Sequence, residues 1–276
     1  IIVRKASRWM IPIIRLNHLK CYSVIIELYE FSIKYLLLWR LSNIQMAEKK
    51  EIEDFYDSFV KTQKKIGVSV RHRLIHKKLK QLGLKANSNV LEVGCGIGTV
   101  SSLIIKSIPN GKFTGCDISP HSIKFANELY ANDNISFIVD DMSNFSSNIV
   151  YDFIVFPDVL EHIPEDQHSK LFENVAKVSS PDAKVLINIP EPHALNWTRA
   201  NRPEILQIID QSLSMQDLLN NTYPHGFYVE SIQPYSIHTN VPNYLSIVLV
   251  RNPEVKNLVV KGKFSQLIQN LKAKYF

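Results

Sequence analysis

The sequence predicts an α/β protein built on a doubly wound parallel sheet, and three observations carry that prediction. Between residues 89 and 190, short apolar runs of strand character alternate with segments whose apolar residues recur at helical spacing. Such alternation gives parallel strands joined by crossover helices. The first strand-like run, Val90 to Val93, stops at three glycines, Gly94, Gly96 and Gly98, before a helical pattern begins. After residue 226 the alternation ends. Two long β-like segments joined by a turn-rich link then read as an antiparallel hairpin at the sheet's edge.

Taken in order, the first strand covers 89–94 and its helix about 98–107. Lys112 to Asp117 is the second strand, and Pro120 opens a helix at a position that tolerates proline. Ile135 to Val139 and Tyr151 to Phe156 are the third and fourth strands. A helix runs from Pro164 to Val178, and a fifth strand from Lys184 to Ile189 is ended by Pro190. Ser214 to Asn220 is helical, and the hairpin strands are Phe227 to Ile237 and Tyr244 to Val250. Upstream, Ile52, Phe55, Tyr56, Phe59 and Val60 predict one helix. Leu74, Ile75, Leu79 and Leu82 predict a second, which Gly83 closes. The basic run Arg71-His72-Arg73 is expected on a solvated face, with a lid over a ligand as the alternative.

The domain is expected over 46–252, with a helical cap at 46–84 and an insertion at 191–226 on the acceptor side of the sheet. The insertion carries His193, Trp197, Arg199, Arg202, Glu204, Tyr223 and His225. Open α/β sheets bind ligands at their carboxyl ends, so these side chains are expected to line a pocket there. Residues 1–45 read as an N-terminal extension with three readings: an amphipathic helix packing on the domain or a membrane surface, the remnant of a longer upstream region, or, the favoured one, an over-extended reading frame with Met46 as the natural start. Residues 253–276 read as a tail whose Phe264, Leu267, Ile268 and Leu271 form one apolar helical stripe. That stripe is expected to bury against its own domain or a second subunit, leaving a homodimer open.

Of 276 residues, 45% are hydrophobic, enough for a true core. Cys21, Cys95 and Cys116 form no CxxC pair, which argues against a disulfide framework or zinc site and for the reducing cytoplasm. The net charge is +6, but residues 1–45 hold seven Lys/Arg against two Asp/Glu, and the remainder 25 against 24. The basicity belongs to one segment, so no nucleic-acid partner is expected. No uncharged run reaches the ~20 residues of a membrane span, so no stable membrane insertion is expected. No HExxH, P-loop or G-x-S-x-G pattern is present.

The glycine register is G-x-G-x-G, with Glu92 two residues ahead of it, where a dinucleotide turn reads G-x-G-x-x-G. Asp117 ends the second strand, about 20 residues further on, where a carboxylate reaches ribose hydroxyls. Helix capping, given Ser119-Pro120, is its plainer reading. The third strand ends in Asp140-Asp141-Met142, and the fourth runs through Pro157 into the phrase Asp158-Val-Leu-Glu161-His162-Ile. Together these motifs resemble the class I S-adenosylmethionine (SAM) methyltransferases of small-molecule type, strongly over 85–190 and in general architecture over 50–252. The resemblance implies a seven-stranded sheet of order 3-2-1-4-5-7-6, with the last strand antiparallel and helices on both faces.

It further implies that SAM lies against Glu92, Gly94, Cys95, Gly96, Gly98, Asp117, Ile118, Asp140, Asp141, Met142, Pro157 and Asp158. In the family's pattern, Asp141 accepts from the adenine amino group and Met142 packs on the ring. Asp140 stands where the family often has Gly. The acceptor is then a small or glycan-like molecule, probed by catalytic candidates Glu161, His162 and His193; no metal is implied. The two histidines follow the fourth and fifth strands and are expected to face one pocket. Two rival functions remain: a nicotinamide-dependent oxidoreductase, and a SAM-binding protein that regulates or scaffolds a partner.

Overall fold

The computed structural model describes residues 63–207, 209–251 and 260–275. The N-terminal extension, its Met46 boundary and the expected helix over 52–60 lie outside the described residues. The chain runs α1 (Val70–Gln81), β1 (Val90–Val93), α2 (Ser101–Ile105), β2 (Phe113–Asp117), α3 (Pro120–Tyr130), β3 (Ile135–Val139) and β4 (Tyr151–Pro157). It continues through α4 (Glu165–Val178), β5 (Ser179–Pro190), α5 (Pro192–Asn201), α6 (Met215–Thr222), β6 (Phe227–Tyr235), β7 (Tyr244–Arg251) and α7 (Lys263–Tyr275).

One seven-stranded sheet has the order β3-β2-β1-β4-β5-β7-β6. β1 to β5 are parallel, and β7 pairs antiparallel with both β5 and β6. The expected order and hairpin are both present. Side chains alternate across the strands, and two apolar layers result. Val90, Phe113, Phe153, Val155 and Leu186 face α1, α2 and α3 through Ile75, Leu79, Ile104, Ile123 and Ala126. Leu91, Ile154, Phe156, Val185 and Ile187 face α4 and α6 through Leu171, Phe172, Val175 and Leu218. Phe172 sits 5.8 Å from Phe156 and 6.1 Å from Phe227, which ties α4 to the sheet's centre and to its edge. Each such side chain contributes roughly 1.5–3 kcal/mol through burial.

Local chemistry sets the helix ends. Ser69 and His72 form a reciprocal capping box on α1, and Gly83, at φ +99°, takes the left-handed turn past its last residue. Pro120 is the first residue of α3, whose cap is Ser119. β5 begins earlier than expected. Ser179 pairs with Tyr151, and a register shift follows before Phe153 meets Lys184. Pro181 and Asp182 read as a turn, but the irregular register at that point absorbs a residue with no N–H to donate.

The insertion departs from expectation at several residues. α6 packs across the sheet face, and Tyr223 to His225 emerge beside Phe227, where Arg251 Nη1 donates to the His225 carbonyl. β6 runs parallel to β1–β5, so its first residue lies at the amino end of the sheet. Tyr223 and His225 are therefore not at the acceptor side. Tyr223 packs at a tilt against Tyr228, and His225 bonds Ser169. Arg202 and Glu204 form an exposed pair with each other, and Trp197 is largely exposed.

The tail also departs from expectation. α7 is a helix, but Phe264, Leu267, Ile268 and Leu271 are 75%, 55%, 41% and 49% exposed, so the stripe is not buried against its own domain. Among the described residues, no helix is long and apolar enough to cross a membrane.

Candidate active site

The site is built at the carboxyl ends of β1, β2, β4 and β5. β1 ends at Gly94, Gly96 and Gly98, all with φ between +52° and +83°. Gly94 is required twice over. Its φ of +71° disfavours any side chain, and a Cβ there would stand 2.4 Å from a methyl of Val159. The Val159 side chain, in the loop after β4, thus packs directly on the backbone of the loop after β1. The N–H groups of Gly94 and Cys95 are held by the Cys116 carbonyl, which hangs the loop on β2.

Asp117, at the end of β2, accepts from Gly96 N–H (2.8 Å) through one oxygen and from Ser119 N–H (2.9 Å) through the other. It therefore fastens the glycine loop while standing at the strand end where a ribose would lie. Beneath the loop, Glu92 is 1% exposed. Ser101 donates to its Oε2 at 2.7 Å, while its Oε1 is buried without a hydrogen-bond partner. Burial pushes the carboxyl up to about 8, against the Ser101 bond. An orphaned buried acceptor beneath a glycine cradle, beside a strand-end carboxylate, fits the nucleoside and amino-acid ends of SAM. Ile118 follows half-buried, and Cys95 is buried with its thiol pushed up by burial, a packing residue rather than a nucleophile.

Glu92 makes stability pH-dependent. Its folded pKa lies above the unfolded value of 4.5, so the folded state holds more protons and stability falls as pH rises from 4.5 toward 8. The loss approaches 1.4 kcal/mol per pH unit in that window, about one proton's worth. Glu92→Gln, which keeps the shape and cannot ionise, should melt above the wild type at pH 8 and level with it at pH 5. Parallel melting curves at both pH values would remove Glu92 as the cause.

The acidic pair after β3 divides. Asp140 continues the pairing with β2 and accepts from Met142 N–H at 2.6 Å; Asp141 is exposed and accepts from Ser143 N–H. Met142, at φ +64°, is 1% exposed, with its sulfur 3.3 Å from Cys116 Sγ. The structure thus places the Met142 side chain in the core, with no surface left to pack on a ring.

On the acceptor side, Asp158 follows Pro157 at φ +60°. Its backbone N–H donates to the Asn188 carbonyl, and the Asn188 amide donates to its Oδ1. Its Oδ2 lies 2.5 Å from Arg71 Nε. Arg71 in turn donates to the Tyr244 hydroxyl and stacks over that ring, and the Tyr235 hydroxyl donates to Asn188. Arg71 is therefore not on a solvated face. His72 of the same run serves the helix cap, with burial lowering it to about 4 so that Nδ1 accepts from Ser69. Burial raises Asp158 to about 6, opposed by Arg71 and Asn188.

Next along the chain, Glu161 is 1% exposed with Oε2 unpartnered. Burial first, then the nearby Asp158, lift its carboxyl well above the usual range. The His162 Nδ1 lies 2.5 Å from the Ile209 carbonyl and 3.3 Å from Asp210 Oδ1. A carbonyl only accepts, so the proton sits on Nδ1 and the lone pair on Nε2, which is 3.9 Å from Glu161 Oε1. Burial lowers the imidazole below 6.5. Residues 209–211 close over this turn, with Gln211 donating to the carbonyls of Glu161 and Ile163. His193 stands apart, exposed on the first turn of α5.

Asn188, Tyr235, Tyr244 and Asp210 were not singled out from sequence as site residues, and Arg71 was read at the ligand only in the alternative given to its basic run. Asn188 carried a signal, a polar side chain inside the apolar run Val185 to Ile189. Tyr235 and Tyr244 meet only through the hairpin register. A cleft of about 380 Å³ flanks the glycine loop, between Thr99, Phe125 and Tyr130. Neither Glu92, Asp117 nor Asp158 lines it, so the ligand argument rests on the loop itself.

A family model described as a methyltransferase domain matches residues 90–182. The malonyl-[acyl-carrier protein] O-methyltransferase 1 of Ilyobacter polytropus is 30% identical over 141 residues, covering 51% of this chain and 52% of that protein. The malonyl-[acyl-carrier protein] O-methyltransferase of Acetivibrio thermocellus is 29% identical over 100 residues, 36% of this chain and 33% of that protein. The chain thus spans about a third to a half of the length of these curated relatives. Among solved structures, the magnesium protoporphyrin IX methyltransferase of Synechocystis PCC 6803 with bound SAH superposes with a TM-score of 0.57 at 18% identity. That match covers 74% of this chain and 99% of the other, and shows a shared fold.

Proposed function

We propose that this chain, which belongs to the class I, Rossmann-like SAM-dependent methyltransferases, transfers a methyl group from SAM to an oxygen of a small-molecule acceptor. The observation that carries the reading is the junction of two loops at Gly94 and Val159. It sets the glycine cradle, with Glu92 and Asp117, directly against Asp158 and its polar network. The curated relatives' O-methyltransferase names favour oxygen as the accepting atom.

SAM supplies a methyl group already activated on a sulfonium. The chain's residues then bind and align. The Gly94–Gly98 loop and Asp117 hold the nucleoside, and Asp158, Arg71, Tyr235 and Tyr244 present hydroxyl and charged groups to the acceptor. Alignment of acceptor oxygen and methyl carbon in line is where much of the rate arises. A hydroxyl acceptor must also lose a proton, and His162 Nε2 is the base positioned to take it. A carboxylate acceptor arrives deprotonated and needs alignment only.

Asp117→Ala tests the reading at its cofactor end. Losing a carboxylate that accepts ribose hydroxyls costs roughly 1.5–3 kcal/mol, or about 10- to 100-fold in SAM affinity. Calorimetric titration should show that loss with SAM, and no heat with NADH for the wild type. Binding of NADH instead would favour an oxidoreductase. Turnover over a panel of carboxylate and hydroxyl acceptors, read as gain of one CH₂ by mass spectrometry, tests the other end. SAM binding with no methylated product would favour a regulatory role.

A further inference from the structure

We infer that α7 is a docking helix for an anionic lipid surface. Its apolar residues Phe264, Leu267, Ile268 and Leu271 fall at the i, i+3, i+4, i+7 spacing of one face and are 41–75% exposed. At about 100° per residue, Lys263 and Lys274 border that stripe on one flank and Lys272 on the other, while Gln266, Gln269 and Asn270 occupy the opposite face. Lysines at the two margins of an apolar stripe are placed to reach headgroup phosphates while the stripe enters the acyl boundary.

Charge selects the occupant. Residues 255–276 hold five lysines and no acidic residue, whereas residues 46–254 hold 20 basic and 24 acidic ones. The basicity is therefore not confined to the N-terminal extension; it flanks a slightly acidic body on both sides. Against a second copy of itself, α7 would set lysine beside lysine. Four apolar side chains also fall well short of the ~1,000 Å² that a stable protein interface buries. Against phosphatidylserine every flanking charge is complementary. The binding this predicts is reversible and salt-sensitive, in keeping with a helix too short to span.

The test is sedimentation of the full chain with phosphatidylcholine vesicles containing about 30 mol% phosphatidylserine, at about 0.05 M and 0.5 M salt, against pure phosphatidylcholine. The expected result is binding to the anionic vesicles at low salt, lost at high salt and absent on the neutral ones. Lys263→Gln with Lys272→Gln should lower the partition about tenfold or more, at roughly fivefold per lysine near the surface. Leu267→Gln with Leu271→Gln should abolish it while the melting temperature holds, since both side chains are exposed. Three results would overturn the inference: no low-salt binding, equal binding to neutral vesicles, or binding that the α7 substitutions leave unchanged. Light scattering supplies a fourth, a concentration-dependent dimer abolished by the Leu267 and Leu271 changes.

Discussion

Replacing Arg71 by alanine will destabilise the protein by roughly 3 kcal/mol at pH 8, the low end for breaking a buried ion pair because Arg71 is itself one-third exposed. The loss comes mainly from what is left behind. Asp158 is 11% exposed at the end of β4, and its two oxygens are held by Asn188 and Arg71. Burial already raises it from 3.8 to about 6, and Arg71 is the larger of the two influences opposing that rise. Without Arg71 the folded pKa climbs further, while the unfolded value stays at 3.8. A carboxyl whose folded pKa is raised contributes stability below its unfolded pKa, and that contribution is lost as pH rises through the folded pKa. The Arg71→Ala deficit should therefore be large at pH 8 and shrink toward pH 5. Asp158→Asn keeps a residue that tolerates φ +60° and removes the charge. Added to Arg71→Ala, it should recover part of the stability at pH 8. Denaturant titrations of the four proteins of this cycle at both pH values provide the measurement. An Arg71→Ala protein as stable as the wild type at pH 8, or a deficit that does not respond to Asp158→Asn, would mean that the pair is incidental.

That pair also marks where sequence reasoning stops. The strands from Val90 to Ile187 were legible because each carries its own signal, an apolar run closed by glycine, proline or aspartate. The glycine loop, Asp117 and Asp158 were legible for a related reason. Their chemistry is local to a strand end, and a strand end is visible in the chain. Arg71 was legible only through the lid alternative, and its partners were not. On α1 its neighbours His72 and Arg73 suggest a wet face, and only the approach of the β6–β7 hairpin and of the β4 end gives it Tyr244 and Asp158 as partners. Met142 failed in the opposite sense. A motif position assigned its side chain to the ligand, but a left-handed backbone turns it toward Cys116 and the core. Tyr223 and His225 failed through direction: nothing in their composition says that α6 carries the chain across the sheet to its amino end. Each miss is a long-range placement that overrode a local signal.

His162 is the imidazole whose loss should stop a reaction on a hydroxyl acceptor, with kcat down about 100-fold or more, the lower range for general-base assistance. SAM affinity should hold, since the ring touches the Ile209 carbonyl and Asp210 rather than the glycine loop. The Ile209 contact fixes the tautomer and leaves Nε2 as the basic atom, on the turn just past Asp158. His193→Ala is the control. That residue is exposed on α5 and should leave kcat within a few-fold. The pH profile carries the sign. Burial lowers His162 below its usual 6.5, so the neutral form persists into mildly acid solution. Log kcat/KM should stay level across pH 6.5 and fall with unit slope only below the lowered pKa, one proton for one base. The same depression costs stability in acid. The unfolded chain binds a proton near pH 6.5 that the folded one resists, so stability declines as pH drops from 6.5 through the folded pKa. Stability loss therefore comes first on the acid side and activity loss begins where it levels off, at the folded pKa; single-turnover rates measured within seconds of a pH jump separate the two. A His162→Ala enzyme that keeps most of its kcat would remove the base. A profile with no acid limb at any pH where the enzyme stays folded would point the same way. The acceptor would then be an anion such as a carboxylate, aligned by Arg71 and the two tyrosines and needing no proton removed.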